Sequence, residues 1–267
     1  MDSGSYFERI VAARALLFVP GDRPDRFDKA VASGADAVIV DLEDAVAEAD
    51  KDAARSHVDD WLSRGGNALV RINAAGTPQF DADLELARKH GCPLMLPKAE
   101  DPRVLAEIDV PLVPIVETAL GIEAATALCA VKNVARVAFG SVDLATQLGV
   151  RHDDELALGY ARSRLVLAST ANDVAPPLDG VTTDLHDESV LIADVAHARR
   201  LGFGGKLCIH PKQIPLVRQG FMPTEEELRW ARRVLTAGDS ASAVDGQMVD
   251  RPVLERARRL LAQDQRS

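Results

Sequence analysis

Three observations in the amino-acid sequence predict an α/β fold, a (β/α)8 barrel of the TIM type with a short C-terminal helical extension. Eight short β-branched or Leu-rich runs recur along the chain. They lack the in–out alternation of a half-solvated sheet, and near-continuous apolarity marks strands buried on both faces, as in a parallel sheet. Segments with helical spacing separate them, and 267 residues suit one such barrel, whose usual length is about 250.

The first run, residues 14–20, precedes a helix predicted over 24–33, opened by Asp22 and Pro24 and stopped at Gly34. The second, 35–41, leads to a helix over about 50–64 that stops at Gly65 and Gly66. Runs follow at 67–73, 92–98, 111–117 and 134–140. The seventh, 175–181, has the weakest strand propensity because Pro176 and Pro177 offer no N–H to a ladder. A helix over 187–201 then aligns Val190, Leu191, Val195, Ala198 and Leu201 on one stripe before Gly202. The eighth run, 205–210, completes the predicted barrel domain, 1–222. In the extension, 223–267, Thr224 and Glu227 stand at capping-box spacing before Leu228. A small, polar stretch at 237–243 reads as a hinge, and Leu254, Ala257, Leu260 and Leu261 share a face of the last helix.

Composition removes several function classes. With 31 basic and 41 acidic side chains the formal net charge is −10, which leaves no electrostatic footprint for a nucleic-acid backbone. The chain is 47% hydrophobic, yet no apolar run approaches the roughly 18 residues of a spanning helix. The acidic start lacks the apolar core of a secretory signal, so a cytoplasmic location is expected. Cys92, Cys129 and Cys208 are far apart and odd in number, and read as buried hydrophobes rather than a disulfide framework or zinc site. Aromatics are 4%, so aliphatic side chains must build the core.

In a barrel of this kind the chemistry sits at the C-terminal ends of the strands. Those ends carry Asp41, Glu43 and Asp44 after the second run, Arg71 and Asn73 after the third, and Lys98 after the fourth. Glu117, Asp143, the pair Asp179 and Asp184, and His210 follow the remaining runs. Glu117 and Asp143, on adjacent strands, suit one hard divalent cation, since Mg2+ takes one or two carboxylates and fills its other positions with water and substrate oxygens. Each could instead cap a helix or pair with a neighbouring cation. Arg71 suits bidentate binding of a substrate carboxylate, and Arg71 and Lys98 equally suit charge balance for Asp41, Glu43 or Asp44. No histidine has a partner at i+3 or i+4, and His210 reads as a structural residue. These residues point to a metal-dependent barrel enzyme acting on an oxo or hydroxy acid.

The same segments resemble the citrate lyase β-subunit-like family, which includes malyl-CoA and citramalyl-CoA lyases within the wider HpcH/HpaI-type aldolases. The matching motifs, in order, are Leu16-Leu-Phe-Val-Pro-Gly21, Val40-Asp-Leu-Glu-Asp-Ala45, Val70-Arg-Ile-Asn73, Met95-Leu-Pro-Lys98, Ile115-Val-Glu-Thr-Ala119, Phe139-Gly-Ser-Val-Asp143 and Ile209-His-Pro-Lys-Gln-Ile214. The resemblance implies Mg2+, or Mn2+ in its place, held by Glu117 and Asp143. It implies Arg71 on the carboxylate of the small acid, and Glu43 and Asp44 hydrogen-bonded to the cation's waters. It further implies cleavage or formation of a carbon–carbon bond in a β-hydroxyacyl-CoA, with an acyl-CoA and a 2-oxo acid as the two halves. The acid/base residue of the family resembles Asp250, within Asp245-Gly-Gln-Met-Val-Asp250-Arg-Pro, contributed by a neighbouring subunit of a homo-oligomer, a trimer or hexamer. Asp250 also suits an N-cap before Pro252 and the last helix.

Coenzyme A leaves little imprint. Leu201-Gly-Phe-Gly-Gly-Lys206 follows a helix rather than opening one, so it is not a dinucleotide-binding turn. Lys51, Arg55 and Lys98 are candidate rim cations for the diphosphate. A malyl-CoA thioesterase, a subunit of a citrate lyase complex acting on a carrier-bound thioester, and a CoA-independent aldolase are the competing functions.

Overall fold

The eight apolar runs form eight parallel strands that close on themselves. They are β1 (Ala15–Pro20), β2 (Ala37–Asp41), β3 (Leu69–Arg71), β4 (Leu94–Leu96), β5 (Leu112–Val116), β6 (Arg136–Phe139), β7 (Ala175–Asp179) and β8 (Gly205–Cys208). Closure comes from β1 pairing with β8, Ala15 opposite Lys206 and Leu17 opposite Cys208. Every residue of β2, β4, β5, β6 and β8 is buried, as continuous apolarity required. The computed structural model describes residues 3–237, 243–244 and 247–264. The chain divides into two units, Met1–Gly220 and Phe221–Ser267.

Strand alternation decides what fills the barrel. Leu16, Ala37, Ile39, Leu69, Met95, Val113, Ile115, Ala138, Leu178 and Leu207 point inward and form one apolar cluster. Tyr6 and Ile10 belong to the same cluster. They come from α1 (Ser3–Ala12), a helix absent from the sequence reading, which closes the end of the barrel at the strand N-termini. Burying Ile10, 1% exposed, contributes about 1.5–3 kcal/mol. The C-terminal carbonyls of α1 meet a buried guanidinium: Arg136 Nη1 lies 2.5 Å from Ala13 O and 3.3 Å from Ile10 O. Burial pushes the Arg136 pKa down to about 9, although hydrogen bonding and the helix dipole both favour the cation there.

Around the strands lie α2 (Phe27–Val31), α3 (Lys51–Ser63), α4 (Phe80–His90), α5 (Pro102–Ala106), α6 (Ala119–Cys129), α7 (Ser141–Leu148), α8 (Gly159–Ala171), α9 (Glu188–Leu201) and α10 (Gln213–Gly220). The helix expected at 187–201 begins with the Asp187 carboxylate accepting from Ser189 N and ends at Gly202 with φ of 101°. Its buried stripe is Leu191, Val195 and Ala198, while Val190, expected on that stripe, is 37% exposed and lies outside the buried face. The proline-rich seventh run is a strand after all. It is accommodated by a register shift against β6, and Pro176 O is used by Arg136 Nε rather than by a ladder partner.

The second unit contains α11 (Glu225–Ala237) and α12 (Arg251–Asp264), with short antiparallel segments Ala243–Val244 and Gln247–Met248 between them. The capping box forms: Thr224 N donates to Glu227 Oε2 at 2.8 Å, and Glu227 N to Thr224 Oγ1 at 3.1 Å. Ala231, Val234, Leu254, Ala257 and Leu260 make a small core of their own. Most of the expected hinge, 238–242, lies outside the described residues. Among the described residues, no helix is long and apolar enough to cross a membrane.

Candidate active site

The inward parity of the strands carries past the apolar layers into charge. Ile39 is followed two residues on by Asp41, Leu69 by Arg71, and Ile115 by Glu117. Asp41 and Arg71 are register partners on β2 and β3, so their side chains emerge side by side. Arg71 Nε donates to Asp41 Oδ1 at 2.7 Å and Nη2 to Oδ2 at 2.5 Å, a two-point fork. Asp41 also accepts from the amides of Glu43 and Ala45, which turns the chain sharply at the strand end. The guanidinium sits 4.8 Å from the centroid of the Phe18 ring. Nη1 faces Glu43 Oε2 at 3.0 Å, without the alignment of a hydrogen bond, and Asp44 Oδ2 at 3.9 Å. Burial alone would lower the Arg71 pKa, but Asp41, Glu43 and Asp44 outweigh it and hold the group cationic.

Behind the Glu43–Asp44 turn lies a network the sequence did not reveal. Lys51, only 8% exposed, donates to Leu42 O, Glu43 O and Asn73 Oδ1 at 2.7–3.0 Å. Asn73 donates in turn to Leu42 O and to Asp83 Oδ2, and Arg55 Nε closes on Asp83 Oδ1 at 2.7 Å. Each hydrogen on the Lys51 ammonium is therefore committed to holding the turn. This corrects the expectation that Lys51 and Arg55 are rim cations free for a diphosphate. Asp83, on α4, has no spacing in the sequence that distinguishes it.

Lys98 joins this half of the site to Glu117 and Asp143. Its backbone adopts φ of 50°, the left-handed region that non-glycine residues seldom visit. From there its amide donates to Glu117 Oε1 at 2.8 Å and its ammonium to Glu43 Oε1 at 2.6 Å. Glu43 is buried, and desolvation raises its pKa despite Arg71 and Lys98. Glu117 is 4% exposed, and its pKa is pushed up to about 8, first by burial and then by the charge of Asp143. Asp143 is half-buried in the first turn of α7, which begins after Gly140. A Cβ on Gly140 would fall 2.3 Å from both Cβ and Oε2 of Glu117, so the glycine makes room for the carboxylate.

Two carboxylates on neighbouring strand ends, Glu117 buried and disfavoured as an anion by the charge of Asp143, form a donor set suited to one hard divalent cation. Among the described residues, no group of three or more His, Cys, Asp and Glu side chains converges as a metal site, which leaves a two-carboxylate arrangement completed by water and substrate oxygens.

Other strand-end residues go elsewhere. Asp179 is inverted relative to inward-facing Leu178 and lies under the helices, not in the mouth. There it accepts from Arg162 of α8 at 2.9 Å and Lys206 of β8 at 3.1 Å. Asp184 accepts from the amides of His186 and Asp187, a local turn. His210 Nδ1 accepts from Lys212 N, the structural role expected of it. Asp250, in the second unit, caps α12 by accepting from Val253 N at 3.2 Å. Asp245 and Gly246 of its motif lie outside the described residues.

Comparison with known proteins agrees with this geometry. Residues 14–211 match the family described as HpcH/HpaI aldolase/citrate lyase. A citrate lyase subunit beta-like protein of Mycobacterium tuberculosis (strain ATCC 25618 / H37Rv) is 41% identical over 263 residues, covering 94% of this chain and 95% of the relative. The mitochondrial citramalyl-CoA lyase of Rattus norvegicus is 31% identical over 292 residues, covering 95% of this chain and 86% of the relative. Among solved structures, protein CitE from Mycobacterium tuberculosis in complex with magnesium, acetoacetate and coenzyme A matches with a TM-score of 0.85 and 39% identity, covering 95% of this chain and 98% of that one. A closed parallel barrel with its carboxylates and arginine fork at the strand ends, matched along nearly its whole length, makes this chain a member of the HpcH/HpaI aldolase/citrate lyase family.

Proposed function

We propose that the protein is a Mg2+-dependent carbon–carbon lyase of aldol/Claisen type, cleaving or forming a β-hydroxyacyl-CoA such as malyl-CoA or citramalyl-CoA. The products of cleavage are an acyl-CoA and a 2-oxo acid. The observation that carries this reading is the buried Glu117 carboxylate beside Asp143, linked through Lys98 and Glu43 to the Arg71 guanidinium. The magnesium, acetoacetate and coenzyme A in the CitE complex, and the printed activity of the citramalyl-CoA lyase, support it.

In this reading Glu117 and Asp143 hold the cation. When bound, Mg2+ supplies Lewis-acid polarisation of the 2-oxo acid's ketone and offsets negative charge at the reacting oxygen. Arg71 binds the acid's carboxylate through Nη1, since Nε and Nη2 are held by Asp41. Orientation is thereby fixed before the substrate arrives. Glu43 and Asp44 line the same turn and accept hydrogen bonds from water around the cation. Asp250 of a second copy moves the proton at the thioester α-carbon, giving it in cleavage and taking it in condensation. That assignment requires a homo-oligomer, and a cytoplasmic enzyme fits the acyl-CoA substrate.

The test is to incubate purified protein with Mg2+, acetyl-CoA and glyoxylate, pyruvate or oxaloacetate, and to run malyl-CoA and citramalyl-CoA in reverse. Appearance or loss of the carbon–carbon bond, abolished in Glu117→Gln, supports the lyase. Free malate without glyoxylate identifies a thioesterase instead. Turnover only with a carrier-bound thioester, or without CoA at all, points to the citrate lyase subunit or the simple aldolase.

A further inference from the structure

At the opposite end of the barrel from the carboxylates, a cavity of about 460 Å³ opens between α1, α2, β2 and the loop from α3 to β3. Its volume lies within the roughly 300–1,000 Å³ of small-molecule sites. The apolar wall includes Val31, 48% exposed, and Val38. Two guanidinium groups border it. Arg9 Nε donates to Asp36 O and Arg64 Nε to Asp60 O, and no further hydrogen bond is made by either side chain among the described residues. Asp28 is the acidic residue of the lining, and its carboxylate is held by Trp61 Nε1 at 2.8 Å. Tyr6, 6% exposed, also lines the cavity, with its hydroxyl buried out of contact with solvent.

We propose that this cavity binds a small organic carboxylate, with its head between Arg9 and Arg64 and its apolar body against Val31 and Val38. The local surplus of cations contrasts with the net charge of −10 carried by the chain. The site is separate from the strand-end carboxylates and does not depend on the proposed lyase activity.

The protein contains two tryptophans, so replacing Trp230 by Phe leaves Trp61, in the cavity wall, as the only emitter. Benzoate is titrated into Trp230→Phe protein while Trp61 fluorescence is followed, with neutral, isosteric benzamide as control. The expected result is a saturable change with benzoate at millimolar concentrations and none with benzamide. Adding Arg9→Gln and Arg64→Gln weakens benzoate at least tenfold. Circular dichroism establishes that each variant is folded; should the double variant fail, Arg64→Gln, on an exposed residue, carries the comparison. The absence of a saturable response in the folded parent overturns the proposal. So does a response to benzamide equal to that to benzoate, or one that the arginine substitutions leave unchanged.

Discussion

The Lys98 amide holds Glu117 Oε1 at 2.8 Å from a left-handed backbone conformation, φ 50°, so the placement of the Glu117 carboxylate is coupled to local strain. A non-glycine residue in that region costs about 1–3 kcal/mol. Glycine would relieve it, against about 0.5–1 kcal/mol of added unfolded-state entropy. Lys98→Gly and Lys98→Val both remove the ammonium that binds Glu43, and both keep the amide. Only valine, β-branched, resists the left-handed region. In urea denaturation Lys98→Val should be the less stable of the two by up to about 2.5 kcal/mol, the strain less the glycine entropy. It should also bind Mn2+ more weakly by titration calorimetry. Equal affinity in the two variants would show that the backbone conformation does not set Glu117.

Gly140 and Gly159 offer a matched pair of glycine-to-alanine changes. A Cβ on Gly140 meets Glu117 at 2.3 Å, whereas one on Gly159 meets nothing within 4 Å. Gly140→Ala should therefore cost about 1–3 kcal/mol through overpacking. Because the displaced group is the Glu117 carboxylate, divalent-cation affinity should fall at least tenfold. Gly159→Ala, at the start of α8, should leave affinity intact and stabilise by up to about 1 kcal/mol. Thermal melts and cation titrations on the two proteins read both effects.

The ion pairs of Asp179 make acid sensitivity a property of the helical layer, not of the site. Burial would raise the Asp179 pKa, but Lys206 and Arg162 overcome it and hold the carboxyl below its usual value. A depressed folded-state pKa contributes stability that is present above the unfolded value, about 4, and is lost as pH falls through the folded value. Unfolding free energy should thus decline as pH drops below about 4, with a slope that Asp179→Asn flattens. At neutral pH the same variant leaves Lys206, 1% exposed, with the more distant Asp194 carboxylate, 3.9 Å away, and should lose up to about 3–5 kcal/mol. A parent and variant with parallel pH profiles would exclude Asp179 as the source.

What the sequence disclosed follows from the physics of parallel barrels. Continuous burial wrote the strands as apolar runs, and period-two alternation then made Asp41, Arg71 and Glu117 extensions of inward-facing positions. Two things were illegible. Residues whose partners lie far along the chain, such as Lys51 with Asn73 and Arg136 with Ala13, carry no local signal, since an interior cation resembles a surface one until the acceptor is known. Facing was the other: Asp179 stands at a strand end like Glu117, and only its register, one residue past inward Leu178, turns it toward the helices.

Asp250 caps a helix, and substitution can separate that role from the proton transfer proposed for it. Its carboxylate caps α12 at Val253 N, and asparagine caps as well as aspartate. Asp250→Asn should therefore melt with the parent protein while losing turnover, because an amide cannot exchange the α-carbon proton. Asp250→Ala should lose turnover and also about 1 kcal/mol of stability. Full turnover in Asp250→Asn would remove the residue from the chemistry and leave it a cap. If the group acts on a neighbouring copy, inactive Asp250→Asn and inactive Glu117→Gln chains complement each other. An oligomer refolded from both then contains sites with an intact cation pair facing an intact Asp250. Mixed oligomers, verified by mass spectrometry, should recover a substantial fraction of parent activity; mixed oligomers that stay inactive would place Asp250 outside the partner's site.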